Sequence, residues 1–88
     1  MTLKIERYSD RVRTTIRLIG RIRQEHLEEL KAQMKDSGPS LALDLEQVNL
    51  VDVDVVRFLG ACKARGVELL HCSQYIEEWI AKEWDRRG

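Results

Sequence analysis

The side chains with chemistry beyond packing are Asp52 and Asp54, His26 and His71, and Cys62 and Cys72. Two carboxylates one residue apart can cap a helix, share a divalent cation or present charge to a partner. With no third acidic ligand evident beside Asp52 and Asp54, a metal site is the weakest of these. Histidine and cysteine are zinc-binding types, but their spacing here fits no C-x-x-C or H-x-x-x-H arrangement. A cysteine–histidine nucleophilic pair needs hydrogen-bond contact. His71 and Cys72 are neighbours on a predicted strand, where adjacent side chains point to opposite faces. Cys62 falls on the apolar stripe of a predicted helix. The glycines at 20, 38, 60, 66 and 88 are scattered, so no phosphate-cradling loop exists. No basic stripe alternates with aromatics, which removes the usual nucleic-acid footprint. The expectation is no catalytic residue, no metal, no cofactor and no enzyme.

The carboxylate pair is positioned by the stretch Leu41–Gly66, LALDLEQVNLVDVDVVRFLGACKARG. Leu41, Leu43 and Leu45 alternate with Ala42 and Asp44 as in a strand. A short polar interval leads to a second apolar step at Val48, Leu50 and Val51. Asp52 then stands at an N-cap position, and Asp54 adds a carboxylate in the first turn, where the helix dipole favours it. Val55, Leu59 and Cys62 share one face of the predicted helix 52–65, and Val56 widens it. Gly66 suits the left-handed residue that ends helices.

Upstream, Leu3–Tyr8 and Val12–Leu18 alternate as two strands around Ser9-Asp10. A two-residue turn there would set Ile5 opposite Thr14, Leu3 opposite Ile16 and Glu6 opposite Arg13. Gly20 breaks the second strand. A helical period follows from about Ile22 to Lys35, with Leu27, Leu30 and Met34 on one stripe, and Asp36-Ser37-Gly38-Pro39 stops it. Downstream, residues 67–72 read as a fourth strand. Ser73 can cap a last helix over about 74–85, with Ile76, Ile80 and Trp84 on one stripe and Tyr75 and Trp79 on another. Tyr75, Trp79 and Trp84 are candidate interface residues, for a homodimer or another partner, since aromatic side chains concentrate in binding hot spots.

The order β-β-α-β-α-β-α predicts a two-layer α/β domain with a four-stranded mixed sheet. Right-handed crossovers between strands in the order 2-3-4 place both connecting helices on one face. The other face is left to Lys4, Glu6, Arg13, Thr15, Arg17, Ala42 and Asp44, a polar set. Eighty-eight residues support one core, and residues 1–88 read as a single domain. Fifteen basic and fifteen acidic residues cancel, so no whole-molecule attraction to nucleic acid or lipid is expected. No apolar run is long enough for a membrane span, and the N-terminus lacks the apolar core of a secretory signal. A cytoplasmic protein with reduced thiols is the expectation.

The pattern of a strand, Asp-Leu, an apolar step, then V-D-x-x opening a helix that ends in G-V-E-L resembles the STAS domain, and L-I-G-R-I resembles that family's second strand with its terminal glycine. The family includes anti-sigma-factor antagonists and the cytoplasmic domains of sulphate transporters. In antagonists the helix start reads Asp-Ser-Ser/Thr-Gly, its hydroxyl is phosphorylated, and the surface docks onto an anti-sigma-factor kinase. Here the run is Asp52, Val53, Asp54, Val55, which carries no hydroxyl and has valine for glycine. The resemblance implies the STAS fold and a bacterial, non-catalytic signalling module that regulates transcription through protein binding. Its partner would be an anti-sigma factor, a related kinase or a transporter ATPase. The implied docking surface is Asp52, Val53, Asp54, Val55 and Arg57, not switched by phosphate at the usual position. A different class, a small-ligand or nucleotide sensor using the same sheet edge, is the alternative.

Overall fold

The structure, a computed structural model, describes residues 3–35 and 40–87. In chain order it contains β1 (Lys4–Ser9), β2 (Thr14–Ile22), a 3-10 turn (Gln24–His26), α1 (Leu27–Lys35), β3 (Leu41–Val51), α2 (Val53–Ala64), β4 (Glu68–Leu70) and α3 (Gln74–Arg87). The strands lie side by side in the order β1-β2-β3-β4, with β1 antiparallel to β2 and β2, β3 and β4 parallel. This is the predicted α/β architecture with a mixed sheet. Ile16 and Leu18 of β2 and Leu43 and Leu45 of β3 form one buried cluster with Leu30 of α1, Val55, Val56, Leu59 and Cys62 of α2, and Ile76 and Ile80 of α3. Helices and inner strand residues therefore share one core on one side of the sheet. The Asp36-Ser37-Gly38-Pro39 stop lies outside the described residues.

The β1–β2 turn differs from the two-residue expectation. Ile5 pairs with Leu18 and Glu6 with Arg17, a register four residues away from the one read in the sequence. Asp10 is the reason. Its Oδ1 accepts the Val12 and Arg13 backbone N–H groups, both at 2.8 Å, and its own N–H bonds the Arg13 carbonyl at 3.0 Å. That side-chain-capped turn is centred on Arg11 and Val12, two residues later than Ser9-Asp10, which moves the register by four. Because the displacement is even, every β1 side chain keeps its predicted face. Ile5 still faces the core, and Glu6 still meets an arginine.

β3 also departs from expectation. It continues to Val51 instead of ending near Leu45. Its pairing with β2 slips between Arg17 and Ile19, and again between Gly20 and Arg21, so that each time β3 carries one residue more than β2. Each bulge turns the following side chain inward. Leu45, Val48 and Val51, three residues apart, thus all reach the core side. Gly20 does not end β2; it takes φ 107° at the bulge, and the strand continues to Ile22, which is buried opposite Val51. The helix predicted from Ile22 accordingly begins at Leu27, after the 3-10 turn.

Two glycines of α2 serve different ends. Gly66 has φ 98°, its N–H bonds the Lys63 carbonyl at 3.1 Å, and the Val67 N–H bonds the Cys62 carbonyl at 3.0 Å. This is the paired hydrogen bonding of a Schellman stop. Gly60 sits mid-helix against α3. A Cβ there would meet Ile80 Cγ2 and Trp84 Cε3 at 3.4 Å, ordinary contact. The same substitution should therefore act in opposite directions. Gly66→Ala should lower unfolding free energy by about 1 kcal/mol, and Gly60→Ala should raise it by roughly 0.5–1 kcal/mol through helix propensity. Urea denaturation of both variants checks the signs.

Candidate functional site

The α2 start and the helix-free sheet face are the two places where polar side chains converge. At the first, Asp52 is fully engaged. Its Oδ1 accepts the Val55 N–H at 3.0 Å, which caps α2, and its Oδ2 accepts the Gln24 N–H at 2.9 Å. One carboxylate therefore ties the start of α2 to the start of the 3-10 turn. These two segments follow β3 and β2, so the bond also fixes how the chain leaves both strands.

The other residues of the predicted docking surface separate. Val55 is fully buried and adds nothing to the surface. Arg57 lies on α2, and its Nε is 3.0 Å from Glu83 Oε1 of α3. Glu83 is nearly buried, so Arg57 is part of the helix–helix contact. Val53 and Leu50 are exposed, at 37% and 48%. Asp54, in the first turn of α2, takes no hydrogen-bond or ion-pair partner among the described residues. The structure thus gathers Leu50, Val53 and Asp54 as the accessible part of this corner. The first bulge turns Val48 inward, and the second restores the original alternation, which sets Leu50 outward and Val51 inward.

The helix-free face holds a cross-strand charge ladder. Lys4 Nζ lies 3.4 Å from Glu6 Oε2, Glu6 Oε1 lies 3.9 Å from Arg17 Nη1, and Arg17 Nε lies 3.7 Å from Asp44 Oδ2. His71 Nδ1 lies 3.2 Å from Asp44 Oδ1. The Arg17 guanidinium also sits 5.7 Å over the Tyr8 ring, and the Tyr8 hydroxyl donates to Glu6 at 2.9 Å. Arg13 pairs with Glu68 across β3. Asp44 is buried at the centre of this ladder although no helix covers it. Its Oδ1 accepts the Glu46 N–H at 3.0 Å, just past the last β3–β4 pair, Asp44 with Leu70. Past that pair His71 takes φ 54°, and its ring returns to Asp44.

Asp44, Glu46 and His71 bring one metal-capable atom each within 4.8 Å of one another, a grouping that the sequence did not suggest. Asp44 is already engaged by the protein's own groups: the Glu46 amide, the His71 ring and the Arg17 guanidinium. A cation would have to displace the Glu46 amide and sit beside the Arg17 charge, and the cluster is accounted for as an end-of-strand lock. Burial pushes the Asp44 carboxyl up. The Glu46 amide, the hydrogen bond and charge of His71, and the Arg17 charge outweigh that and hold it below its ordinary value.

The remaining candidates have structural partners. His26 Nδ1 accepts the Arg23 N–H at 3.0 Å at the 3-10 turn. Ser73 Oγ accepts the Ile76 N–H at 3.3 Å and caps α3. Both cysteines are free. Burial pushes the Cys62 thiol up to about 11. Cys72 is also raised, by burial and then by Glu77. Protonated thiols are poor nucleophiles at neutral pH. On α3, Trp79 is partly buried against the core, with its ring 5.8 Å from that of Tyr75. Tyr75 and Trp84 are exposed, at 56% and 43%. The Trp84 ring leans over Gly60, so it belongs to the α2–α3 contact and not to the Tyr75 side.

Two consequences are measurable. Asp52→Ala should cost about 1–2 kcal/mol, since it removes an N-cap and frees a second backbone N–H, and Asp52→Asn should fall between it and wild type. Asp44 has a lower pKa folded than unfolded. Its contribution is therefore complete above about pH 4 and is lost as pH falls below that value. Asp44→Asn should be less stable than wild type at pH 7, with the gap narrowing toward pH 3. Urea unfolding at pH 7, 4 and 3 reads this directly.

No protein-family model matches this chain, and no curated protein matches it in sequence.

Proposed function

We propose that this domain is a non-catalytic protein-binding module that docks through the corner formed by Leu50, Val53 and Asp54. The observation that carries the proposal is the exposure of two large aliphatic side chains beside a carboxylate with no partner among the described residues. The aliphatic pair suits a partner with an apolar patch of its own, and the charge of Asp54 beside it sets how tightly that partner docks. Cys62 is buried, the Cys72 thiol is raised by partial burial, and the Ser73 hydroxyl caps α3, which supports a role without catalysis. The STAS resemblance points to an anti-sigma-factor kinase or a related ATPase as the partner class, in the cytoplasm of a bacterium. On this reading Asp54 stands where antagonists carry their phosphorylatable hydroxyl. A carboxylate there supplies about one negative charge, against roughly 1.5–2 for phosphoserine. Asp54 then holds the domain in a state resembling the phosphorylated one, which does not engage the kinase.

Titration against a purified anti-sigma-factor kinase tests the reading. Wild type should bind weakly, and Asp54→Ser and Asp54→Asn should each bind at least about tenfold tighter, or 1.4 kcal/mol. Adding Leu50→Glu or Val53→Glu to Asp54→Ser should abolish that gain. If Asp54→Ser only lowers the melting temperature and leaves binding unchanged, Asp54 is a helix-stabilising residue and the mimic is wrong. Incubation with kinase and ATP, followed by intact-mass analysis, should place no phosphate on Asp52 or Asp54.

A further inference from the structure

α3 has a flank that the fold uses only in part, at Trp79, which packs partly against the core. Ile76, Ile80 and Glu83 turn toward the body, and Trp84 leans over α2 at Gly60. Tyr75, Glu78, Trp79, Lys82 and Asp85 fall on an arc of about 120° at 100° per residue, away from those contacts. With Glu83 they line a shallow groove of about 570 Å³. Tyr75 is more than half exposed, and its ring tilts at 50° against Trp79. This makes an aromatic pair in the N-terminal half of the flank and charges toward its C-terminal half.

The order of these residues identifies what fits. Laid antiparallel against a second copy of itself, the flank brings each Glu78 opposite the other chain's Lys82. The Tyr75 hydroxyl then comes level with the other Asp85 carboxylate. The two Trp79 residues meet beside the twofold axis, offset by about 3 Å along the helices at 1.5 Å per residue. Tyr75, Glu78, Lys82 and Asp85 each meet a complement, and each contact occurs twice, as a twofold interface requires. A parallel arrangement would set Glu78 against Glu78 and Lys82 against Lys82. Glu78 Oε2 already accepts from Gln74 at 3.0 Å, which orients the carboxylate along the flank and leaves its other oxygen toward a partner.

We propose that this chain forms a twofold homodimer through antiparallel contact of α3, centred on Trp79 and registered by Glu78–Lys82 pairs. The surface is separate from the α2 corner, so the dimer stands or falls independently of the protein-binding reading. A 14-residue helix gives a contact at the small end of specific interfaces, so weak association that rises with concentration is expected.

Sedimentation equilibrium on the full chain at low salt tests this, with Glu78→Lys and Lys82→Glu as variants. Both positions are exposed, and circular dichroism verifies the fold. Each single reversal replaces two attractions with two repulsions and should weaken self-association at least about tenfold. An equimolar mixture of the two variants restores both opposite-charge pairs and should associate as heterodimer with near wild-type affinity. A wild type that stays monomeric at roughly 300 µM would overturn the proposal, as would reversals without effect or a mixture that fails to recover.

Discussion

One layer of helices over one face of a four-stranded sheet leaves the other face of every strand to water, and much of the molecule answers to that constraint. On the covered side, β2, β3, α1, α2 and α3 contribute aliphatic side chains to a single core. On the open side the strands are joined by charge. The ladder from Lys4 through Glu6 and Arg17 to Asp44 alternates in sign across the sheet, and the His71 ring bonds its far end. Exposed pairs of this kind contribute little one by one, roughly 0–1 kcal/mol each. Asp44 is different, because its carboxylate is buried and also takes a backbone N–H, that of Glu46.

Three aspartates do similar physical work at three ends of the fold. Asp10 closes the β1–β2 turn by taking two backbone N–H groups. Asp44 takes the Glu46 N–H where pairing with β4 stops. Asp52 takes one N–H from α2 and another from the 3-10 turn. In each case a short carboxylate satisfies backbone donors that the neighbouring element leaves over. Asp54 caps nothing in this way. That contrast gives the α2 corner its functional interest, since a carboxylate beside exposed Leu50 and Val53 has no structural task of its own beyond the helix dipole.

Helix packing likewise separates residues that look alike in the sequence. Arg57 and Asp54 both belong to the same predicted surface, yet Arg57 is drawn into α3 by Glu83. Trp79 and Trp84 both lie on α3, yet Trp84 packs over α2 at Gly60 and the Tyr75–Trp79 pair lies apart from it.

The sequence by itself determined what depends on local period and local bonding. Alternation marked the strands and assigned their faces, the stripe Val55, Leu59, Cys62 marked α2, and Asp52 and Gly66 marked its two ends. The order of elements then implied the mixed sheet and its one-sided cover. Tertiary structure decided what depends on residues distant in the chain. The β1–β2 register followed the Asp10 turn, but its even shift kept the faces, so Glu6 exchanged Arg13 for Arg17. The two bulges in β3 arose from pairing with β2 and are invisible to a two-residue period, so Val48 reaches the core side out of phase with Leu45. His71 reaches Asp44 only because it adopts a left-handed backbone at the end of β4, and Asp52 bonds Gln24 only because β2 and β3 end side by side. Periodicity records which way a side chain faces along its own element. It carries no information on which distant backbone group will need a partner, and that need settled the positions of these polar residues.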